Sequence, residues 1–254
     1  MKKIARNVYS IVKTNLFRLD YYLRYHRLKS RKLTLPSNVK LADTLKYGYE
    51  WKKATKTINK IGLNSYSLQY KNWDSLAMLS IILNNVSKDA YILDAGGELI
   101  STILPWLSFY GYKNLMCINL DIHASNLGPI KYSVGDITNT TFSDNTFDVI
   151  ICQSVVEHGV DLEKYFKECN RILKRGGILI TSTDYWKKKI NTNGIMAYGS
   201  EVNIFSAKEI NNILTIAKKH NFKLLEKLDF QCKEKVVKWK KLSYTFIYFT
   251  LKKQ

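Results

Sequence analysis

Acidic side chains recur along the chain where short apolar runs end. Asp94 ends the first run, Asp121 ends the second 27 residues later, and Asp136 follows the third. Glu157 and His158 come shortly after a fourth. Carboxylates can accept hydrogen bonds from a ribose diol, an adenine amino group or an ammonium group, and a histidine can take up a proton near neutral pH. These residue types predict a site for a nucleoside-containing ligand.

Two adjacent glycines, Gly96 and Gly97, follow the first of these acids and let a ligand approach the backbone closely. A dinucleotide site needs the spacing G-x-G-x-x-G, which is absent. Glu98 and Ile100 stand where further glycines are expected, and a glutamate there would repel a pyrophosphate. S-adenosylmethionine carries an ammonium, a sulfonium and a ribose without a phosphate, so it fits this turn better than NAD.

The elements that position these residues follow from the pattern of the chain. Apolar runs alternate with helix-like segments, which predicts a parallel sheet covered by helices on both faces. The runs are YILDA, LMCINLD, IKYSV, FDVIICQ and GILITST, with a helix predicted over 161–175 and another over 206–220. Two further strands are predicted over 222–230 and 242–251, paired antiparallel at one edge. Because the strands are parallel, their carboxyl ends lie side by side, so such a sheet brings the strand-end acids together there.

The block from Tyr91 to Trp186 resembles the class I S-adenosylmethionine-dependent methyltransferases, in particular the broad methyltransferase domain type 11 group. The stretches that carry the resemblance are ILDAGGE, INLDIHAS, VGDITNTTFSDNTFDVIICQSVVEHGVD and ECNRILKRGGILITSTDYW. It implies a Rossmann-like α/β fold with a seven-stranded, mostly parallel sheet and helices on both faces, and S-adenosylmethionine as cofactor.

The resemblance also assigns cofactor-binding residues. It places Asp94, Gly96 and Gly97 around the methionine moiety, Asp121 on the ribose, and Asp136 with Ile137 on the adenine. Ala95, Ile122 and Gln153 complete the predicted cofactor contacts. The first motif departs from the family pattern D-x-G-x-G-x-G, because Glu98 replaces its second glycine. Two interpretations therefore stay open: a working methyltransferase, or a non-catalytic scaffold or partner subunit.

The predicted catalytic residues are His158 and Glu157. His158 is the candidate general base; alternatively, it is a structural residue that packs against the next helix. Glu157 would orient the cofactor or substrate, or cap the helix over 161–175. Tyr185 and Trp186 are expected to bind the acceptor as walls of its pocket, or to pack as part of a lid.

The expected acceptor is a small molecule. Methyltransferases that act on base amino groups carry N/D-P-P-Y/F after the fourth strand, where this chain has QSVVEH, and no RNA-binding module is recognisable. Residues 191–210 are reminiscent of methyltransferases from surface-glycan and secondary-metabolite pathways. We therefore expect O-methylation of a sugar, glycan, or phosphorylated or nucleotide-linked metabolite, as in polysaccharide biosynthesis; this expectation rests on analogy.

Residues 1–70 are predicted to form a helical, basic N-terminal extension, and residues 71–254 the methyltransferase domain. The first 40 residues carry eleven basic side chains against one acid, Asp20, with apolar residues at helical spacing. Such a helix can lie on an anionic membrane surface, cover the domain, or meet a partner chain. Peripheral contact with the inner face of the membrane is therefore one expectation.

Composition narrows the remaining classes. The net charge of +19 favours an acidic partner, or reflects a lysine-rich composition alone. The four cysteines are scattered without C-x-x-C spacing, so we expect reduced thiols, a cytoplasmic protein and no metal site. Neither a transmembrane run nor a signal peptide is predicted.

Overall fold

The structure of the chain, a computed structural model, describes residues 2–29 and 33–254, and side chains within 14–28 and 33–254. A large mixed sheet is covered by helices on both faces. The helices are α1 (Lys2–Lys29), α2 (Gly48–Lys60), α3 (Asn72–Asn85), α4 (Ile103–Phe109), α5 (Leu162–Ile172) and α6 (Ala207–Lys219), with a 3-10 turn at Gln69–Lys71. The strands are β1 (Ala42–Thr44), β2 (Tyr91–Ala95), β3 (Asn114–Asn119), β4 (Ser125–Leu127), β5 (Ile130–Val134), β6 (Phe147–Gln153), β7 (Leu173–Tyr185), β8 (Met196–Ala197), β9 (Ser200–Glu201), β10 (Phe222–Leu224), β11 (Val237–Trp239) and β12 (Leu242–Lys253).

The five predicted apolar runs form the parallel centre of the sheet. Strand order is β1-β12-β7-β6-β2-β3-β5-β4, and β7, β6, β2, β3 and β5 run parallel. Long β12 pairs antiparallel with β7, and β10 pairs antiparallel with β12 as predicted. The Rossmann-like α/β class is confirmed, but the sheet has ten strands rather than seven. The additional strands are short edge segments, such as Ala42–Thr44, which are too short to show an apolar period.

The central strands are buried on both faces, as their continuous apolar runs require. Leu93 and Ile150 are fully buried within one face's core, with α5 and α6, while Ile92 and Val149 pack into the other with α3 and α4. The helix predicted over 161–175 ends earlier, at Ile172, because β7 already begins at the next residue.

The direction of strand order reverses beside β2. From β2 the chain proceeds through β3 to β5 on one side, and later through β6 to β7 and β12 on the other. In parallel α/β sheets a ligand-binding crevice opens outside the carboxyl ends of the strands at such a reversal. Here these ends are Ala95 of β2 and Gln153 of β6.

The N-terminal region is joined to the rest of the fold. Helix α1 packs against α4, and β1 pairs with β12 through the register Ala42 to Phe249. The predicted boundary between residues 70 and 71 stays a proposal. The side chains before residue 14, which carry much of the predicted amphipathic pattern, lie outside the described residues. Within the described ranges, no helix combines the length and the apolarity needed to cross a membrane.

Candidate active site

The loop after β2 brings bare backbone to the crevice. Gly96 has φ +89°, and a Cβ there would clash with Val155, which follows β6. Its N–H donates to the Ile118 carbonyl (2.7 Å), and the carbonyls of Gly96 and Gly97 accept from Asn119 Nδ2 at 3.0 and 3.1 Å. The loop continues to Thr102, because α4 begins only at Ile103. Only glycine fits at Gly96 without displacing the neighbouring strand end.

Asp94 is a buried carboxylate with no hydrogen-bond donor from the described part of the chain. It is 3% exposed, and burial raises its pKa to about 7. Its carboxyl group lies directly against Gly97, where a Cβ would clash with Oδ2 and would lie 2.9 Å from Cys117 Sγ. A buried, unneutralised carboxylate is costly unless a cation or donor pairs with it. Asp94 is therefore suited to bind an ammonium group.

Asp121 and Asp136 lie at the carboxyl ends of neighbouring strands, β3 and β5, as predicted. Both are exposed. Asp136 Oδ1 accepts from the backbone N–H and the hydroxyl of Thr138, each at 2.8 Å, which fixes its position. The apolar residues after each acid, Ile122 and Ile137, are 7% and 6% exposed. The structure thus places an exposed carboxylate, followed by a buried isoleucine, at each of these two strand ends, beside the loop after β2.

The two remaining predicted cofactor contacts lie at the same edge. Ala95 is the buried last residue of β2, and Gln153 is the half-buried last residue of β6. Gln153 Nε2 donates to Ser75 Oγ at 2.7 Å, which links the β6 end to α3. The described residues contain no cluster of three or more side chains able to hold a metal ion.

Glu157 and His158 lie in the turn after β6. Glu157 is 1% exposed and accepts from Thr183 Oγ1 at 2.9 Å. It does not cap α5, because Asp161 accepts from the Lys164 N–H at the start of that helix (3.1 Å). Glu157 therefore faces the polar end of β7 rather than the helix.

Burial lowers the pKa of His158, Glu157 opposes this, and the nearby Lys71 charge lowers it further. His158 Nδ1 is buried and has no hydrogen-bond partner in the described structure. The ring packs edge-to-face against Tyr198, with 5.0 Å between centroids. A neutral imidazole with an unpaired nitrogen has the form that a general base requires.

Tyr198 lies at the tip of the short β8–β9 hairpin. It has φ +51° and Gly199 has φ +83°, the two positive values of a tight hairpin turn. Ser200 Oγ donates to the His158 carbonyl at 2.7 Å, which ties the hairpin to the β6 turn. The hairpin therefore covers one side of His158.

Sequence reasoning missed Lys71, at the end of the 3-10 turn before α3. Its ammonium group donates to Ser154 Oγ, lies 3.7 Å from Asp74 Oδ2 and sits 3.8 Å from the centroid of the Phe246 ring. Asp74 is fully buried and also accepts from Ser182 Oγ at 2.7 Å. The Lys71 charge compensates for this buried carboxylate.

Asp184 is a third buried acid near Lys71, beside Asp74 and Glu157. Burial raises its pKa, and nearby Glu157 raises it further, while Lys71 acts in the opposite direction. Tyr244 donates to it from the adjacent strand. Asp184 directly follows the apolar run GILITST, whereas Lys71, which lies outside the strand–helix alternation, gave no signal in the sequence. Lys71, Asp74, Glu157 and Asp184 thus form a buried polar cluster, and its Lys71 and Glu157 charges act on His158.

The structure does not bring Tyr185 together with His158. Side chains alternate along β7, so Ser182 and Asp184 face α3 while Tyr185 points to the opposite face. The Tyr185 hydroxyl donates to the Phe230 carbonyl at 2.8 Å. Trp186 is half-buried, and the ammonium groups of Lys187 and Lys235 lie over its ring. Two other tyrosines, Tyr66 and Tyr198, lie near Glu98. Burial and the Glu98 charge raise the pKa of both hydroxyl groups.

Comparisons with known proteins agree with this arrangement. Residues 107–181 match the family described as "Methyltransferase domain". The chain is 32% identical over 74 residues to a malonyl-[acyl-carrier protein] O-methyltransferase of Coxiella burnetii, which covers 28% of this chain and 26% of that protein. It is 36% identical over 71 residues to phosphoethanolamine N-methyltransferase 2 of Caenorhabditis elegans, covering 27% of this chain and 16% of that protein. The matches thus span about a quarter or less of those two relatives.

Solved structures extend the likeness across the fold. Geranyl diphosphate C-methyltransferase from Streptomyces coelicolor superimposes with a TM-score of 0.56 at 15% identity, covering 94% of this chain and 98% of that one. A methyltransferase from Mesorhizobium loti gives 0.54 at 13% identity, covering 71% and 98%. The chain thus shares its fold with S-adenosylmethionine-dependent methyltransferases, and residues 107–181 match the methyltransferase-domain family; both findings support S-adenosylmethionine as the cofactor. The sequence resemblance is confirmed.

Proposed function

We propose that this chain binds S-adenosylmethionine through the edge formed by β2, β3 and β5, and transfers its methyl group to a small acceptor. The observation that carries the proposal is Asp94, a buried carboxylate without a donor, next to the bare backbone of Gly96 and Gly97. In its ionised form such a group is stabilised by a cationic partner, and the cofactor's ammonium is one.

The residues at this edge fit the parts of the cofactor. Asp94 and the loop from Ala95 to Gly97 would hold the methionine moiety. Asp121 would accept hydrogen bonds from the ribose hydroxyls. Asp136 would accept from the adenine amino group, with Ile122 and Ile137 supplying apolar contacts and Gln153 closing the β6 side. When bound, the cofactor supplies a methyl group on a sulfonium; the chain has to align the nucleophile with it and remove a proton.

His158 is the residue we assign to the proton, with Glu157 orienting the acceptor. A lowered pKa keeps the imidazole neutral at pH 7, so it can accept a proton from a hydroxyl. This supports O-methylation. Glu157 beside His158, with Asp74 and Asp184 further along the same cluster, favours a neutral part of the acceptor at this position. A phosphate on the acceptor would then extend toward the basic surface. Trp186 remains a candidate wall of the pocket, whereas Tyr185 would act through packing.

A sugar, glycan or nucleotide-linked metabolite is the acceptor class we favour, within surface-polysaccharide or secondary metabolism. The names of the two curated relatives give different acceptors, an acyl-carrier conjugate and phosphoethanolamine, so they do not select one.

A cytoplasmic location is part of this proposal. All four cysteines are buried and unpaired, which suits a reducing compartment.

Calorimetric titration with S-adenosylmethionine and, separately, S-adenosylhomocysteine tests the proposal. We expect micromolar binding, and we expect Asp121→Ala to weaken it by about tenfold or more, the value of hydrogen bonds to a charged group. The matched control is Asp89→Ala, an exposed acid before β2, at the opposite edge of the sheet. The absence of binding at millimolar ligand would overturn the cofactor assignment and favour a non-catalytic scaffold. Unchanged affinity in Asp121→Ala would overturn the ribose assignment alone.

A further inference from the structure

Helix α1 is fixed on the domain by one face. Tyr21 is 2% exposed, shares a hydrogen bond of 3.0 Å with Ser108 Oγ, and stacks on Phe109 at 5.5 Å between centroids. Leu28 is also buried on this side. These contacts set the rotation of the helix, so they also determine which of its side chains face outward.

The outward face carries a stripe of leucines. Leu16, Leu19 and Leu23 are 62%, 57% and 63% exposed. Their spacing of three and four residues aligns them on one side of the helix. A single exposed leucine needs no explanation, but a row of three on one helix marks an interaction surface. We refer to these three residues as the leucine stripe.

Positive charge surrounds the leucine stripe. A pocket beside it is lined by Arg24 and Arg27 of α1 together with Asn59, Asn64 and Ser65, and the described lining includes no carboxylate. Asp20 engages Arg24 Nε, so the Arg27 guanidinium and the remaining N–H groups of Arg24, with amide and hydroxyl donors, form the set suited to a phosphate.

The acid count on this helix is low. Asp20, the one acid within residues 1–40, is paired with Arg24 Nε at 2.8 Å. The sequence adds further basic residues on both sides of this region: Lys2, Lys3, Arg6, Lys13 and Lys29. The net charge of this segment is therefore strongly positive.

We propose that α1 docks on the surface of an anionic phospholipid bilayer, with the leucine stripe in the interface and a lipid phosphate in the Arg24–Arg27 pocket. A helix that is apolar on its outer face and flanked by cations has the composition of an interfacial membrane helix. Pairing with a second copy of the chain would bring two strongly basic helices together, which charge repulsion opposes. The proposal is independent of the methyl-transfer function.

Co-sedimentation of the full chain with vesicles tests this surface. We expect binding to mixed phosphatidylcholine–phosphatidylglycerol vesicles and none to phosphatidylcholine alone. The variant Leu16→Ser/Leu19→Ser/Leu23→Ser should lose on the order of tenfold or more of that affinity, because it removes apolar area from the interface. Its matched control is Leu35→Ser/Tyr49→Ser, two exposed apolar residues away from α1, which should bind as the unaltered chain does.

The pocket is tested by charge-matched variants. Arg24→Gln/Arg27→Gln should lose binding, whereas Lys208→Gln/Lys218→Gln on α6, with the same change in net charge, should retain it. Equal loss in both would show unspecific attraction and overturn the pocket assignment. Full binding by the leucine variant, or no binding to anionic vesicles, would overturn the proposal. Self-association that the leucine variant abolishes, without vesicle binding, would overturn it in favour of a second copy. Thermal unfolding and S-adenosylhomocysteine binding confirm that each variant is folded.

Discussion

The ammonium group of Lys71 lies 3.8 Å from the centroid of the Phe246 ring and 3.7 Å from Asp74 Oδ2. One cation thus joins the start of α3 to the last long strand of the sheet. It also carries the positive charge that faces Asp74 and Asp184. Removing it would leave buried carboxylates without a counter-charge, which is more costly than losing an exposed ion pair.

We therefore expect Lys71→Met to lower the free energy of unfolding by about 3 kcal/mol. Urea denaturation measures this change. Lys174→Met removes a half-exposed lysine that pairs with Asp148 at 2.8 Å, and it should cost less than about 1 kcal/mol. Adding Asp74→Asn to Lys71→Met should recover part of the loss. Equal effects of the two lysine variants would contradict the compensating role of Lys71.

The raised pKa of Asp94 makes cofactor affinity depend on pH. An ammonium binds the ionised carboxylate. Below pH 7 the Asp94 carboxyl of the unliganded protein is largely protonated, because its pKa is about 7, so it has to release a proton when the ligand binds. Affinity for S-adenosylhomocysteine should then rise by up to about tenfold per pH unit as pH approaches 7, and level off above it. Calorimetric titrations from about pH 5 to about pH 8, a range that spans the pKa of Asp94, measure how the affinity depends on pH.

Asp94→Asn should flatten this profile and weaken binding. 5′-Methylthioadenosine lacks the amino-acid part of the cofactor, so its affinity should not follow the same profile in the unaltered chain. A profile that persists in Asp94→Asn would assign the proton to another group, such as His158.

The stability of the unliganded chain should fall as pH rises through the same range. The folded-state pKa of Asp94 is about 7, above the ordinary value of 3.8 for an aspartate, so between these pH values the folded state holds a proton that the unfolded state has released. This contribution is fully present below about pH 4 and is lost as pH rises through 7. In urea denaturation across this range, Asp94→Asn should remove that component. An unchanged slope would mean that Asp94 is not protonated in the folded chain.

Gly97→Ala should impair both folding and cofactor binding. The new methyl group would clash with the Asp94 carboxylate and lie 2.9 Å from Cys117 Sγ, so the loop has to shift. We expect a loss of about 2 kcal/mol in stability, the usual cost of an overpacked site. Gly48→Ala at the start of α2 is the control, since its nearest neighbour would be at 3.4 Å. Equal melting temperatures for the two variants would contradict this tight contact.

His158→Gln should slow methyl transfer without weakening the binding of the cofactor. A lost general base lowers kcat by about a hundredfold or more. Because burial lowers the pKa of His158, the rate in the unaltered chain should be constant above about pH 6.5. Single-turnover assays with an acceptor that supports transfer measure kcat, and calorimetry measures cofactor affinity. His123→Gln, at an exposed position, is the control; a fall in cofactor affinity alone in His158→Gln would indicate a structural role.

The sequence predicted the centre of the fold and the strand ends at which the candidate site acids lie. Continuous apolar runs identify buried parallel strands, and the acids after them, such as Asp121 and Asp136, fall at one edge because parallel strands end together. Lys71 gave no such signal, since its role depends on how α3 crosses the sheet. The placement of Tyr185 also depended on strand alternation near the end of β7, which a short apolar pattern does not resolve. The three-residue strand β1 was missed because it forms only where β12 offers it an edge.

Strand β12 pairs with β1, β7, β10 and β11, and all four precede it in the chain. The strands that carry the cofactor edge, by contrast, are complete once residue 153 has been made. During synthesis the two halves of the site are therefore separated in time. The ends of β2, β3 and β5 can form early, while Lys71 gains its contact with the Phe246 ring only after β12 has been made. A ribosome paused before β12 would hold a chain in which the strand ends proposed to bind the cofactor are present before the surroundings of Lys71 are complete.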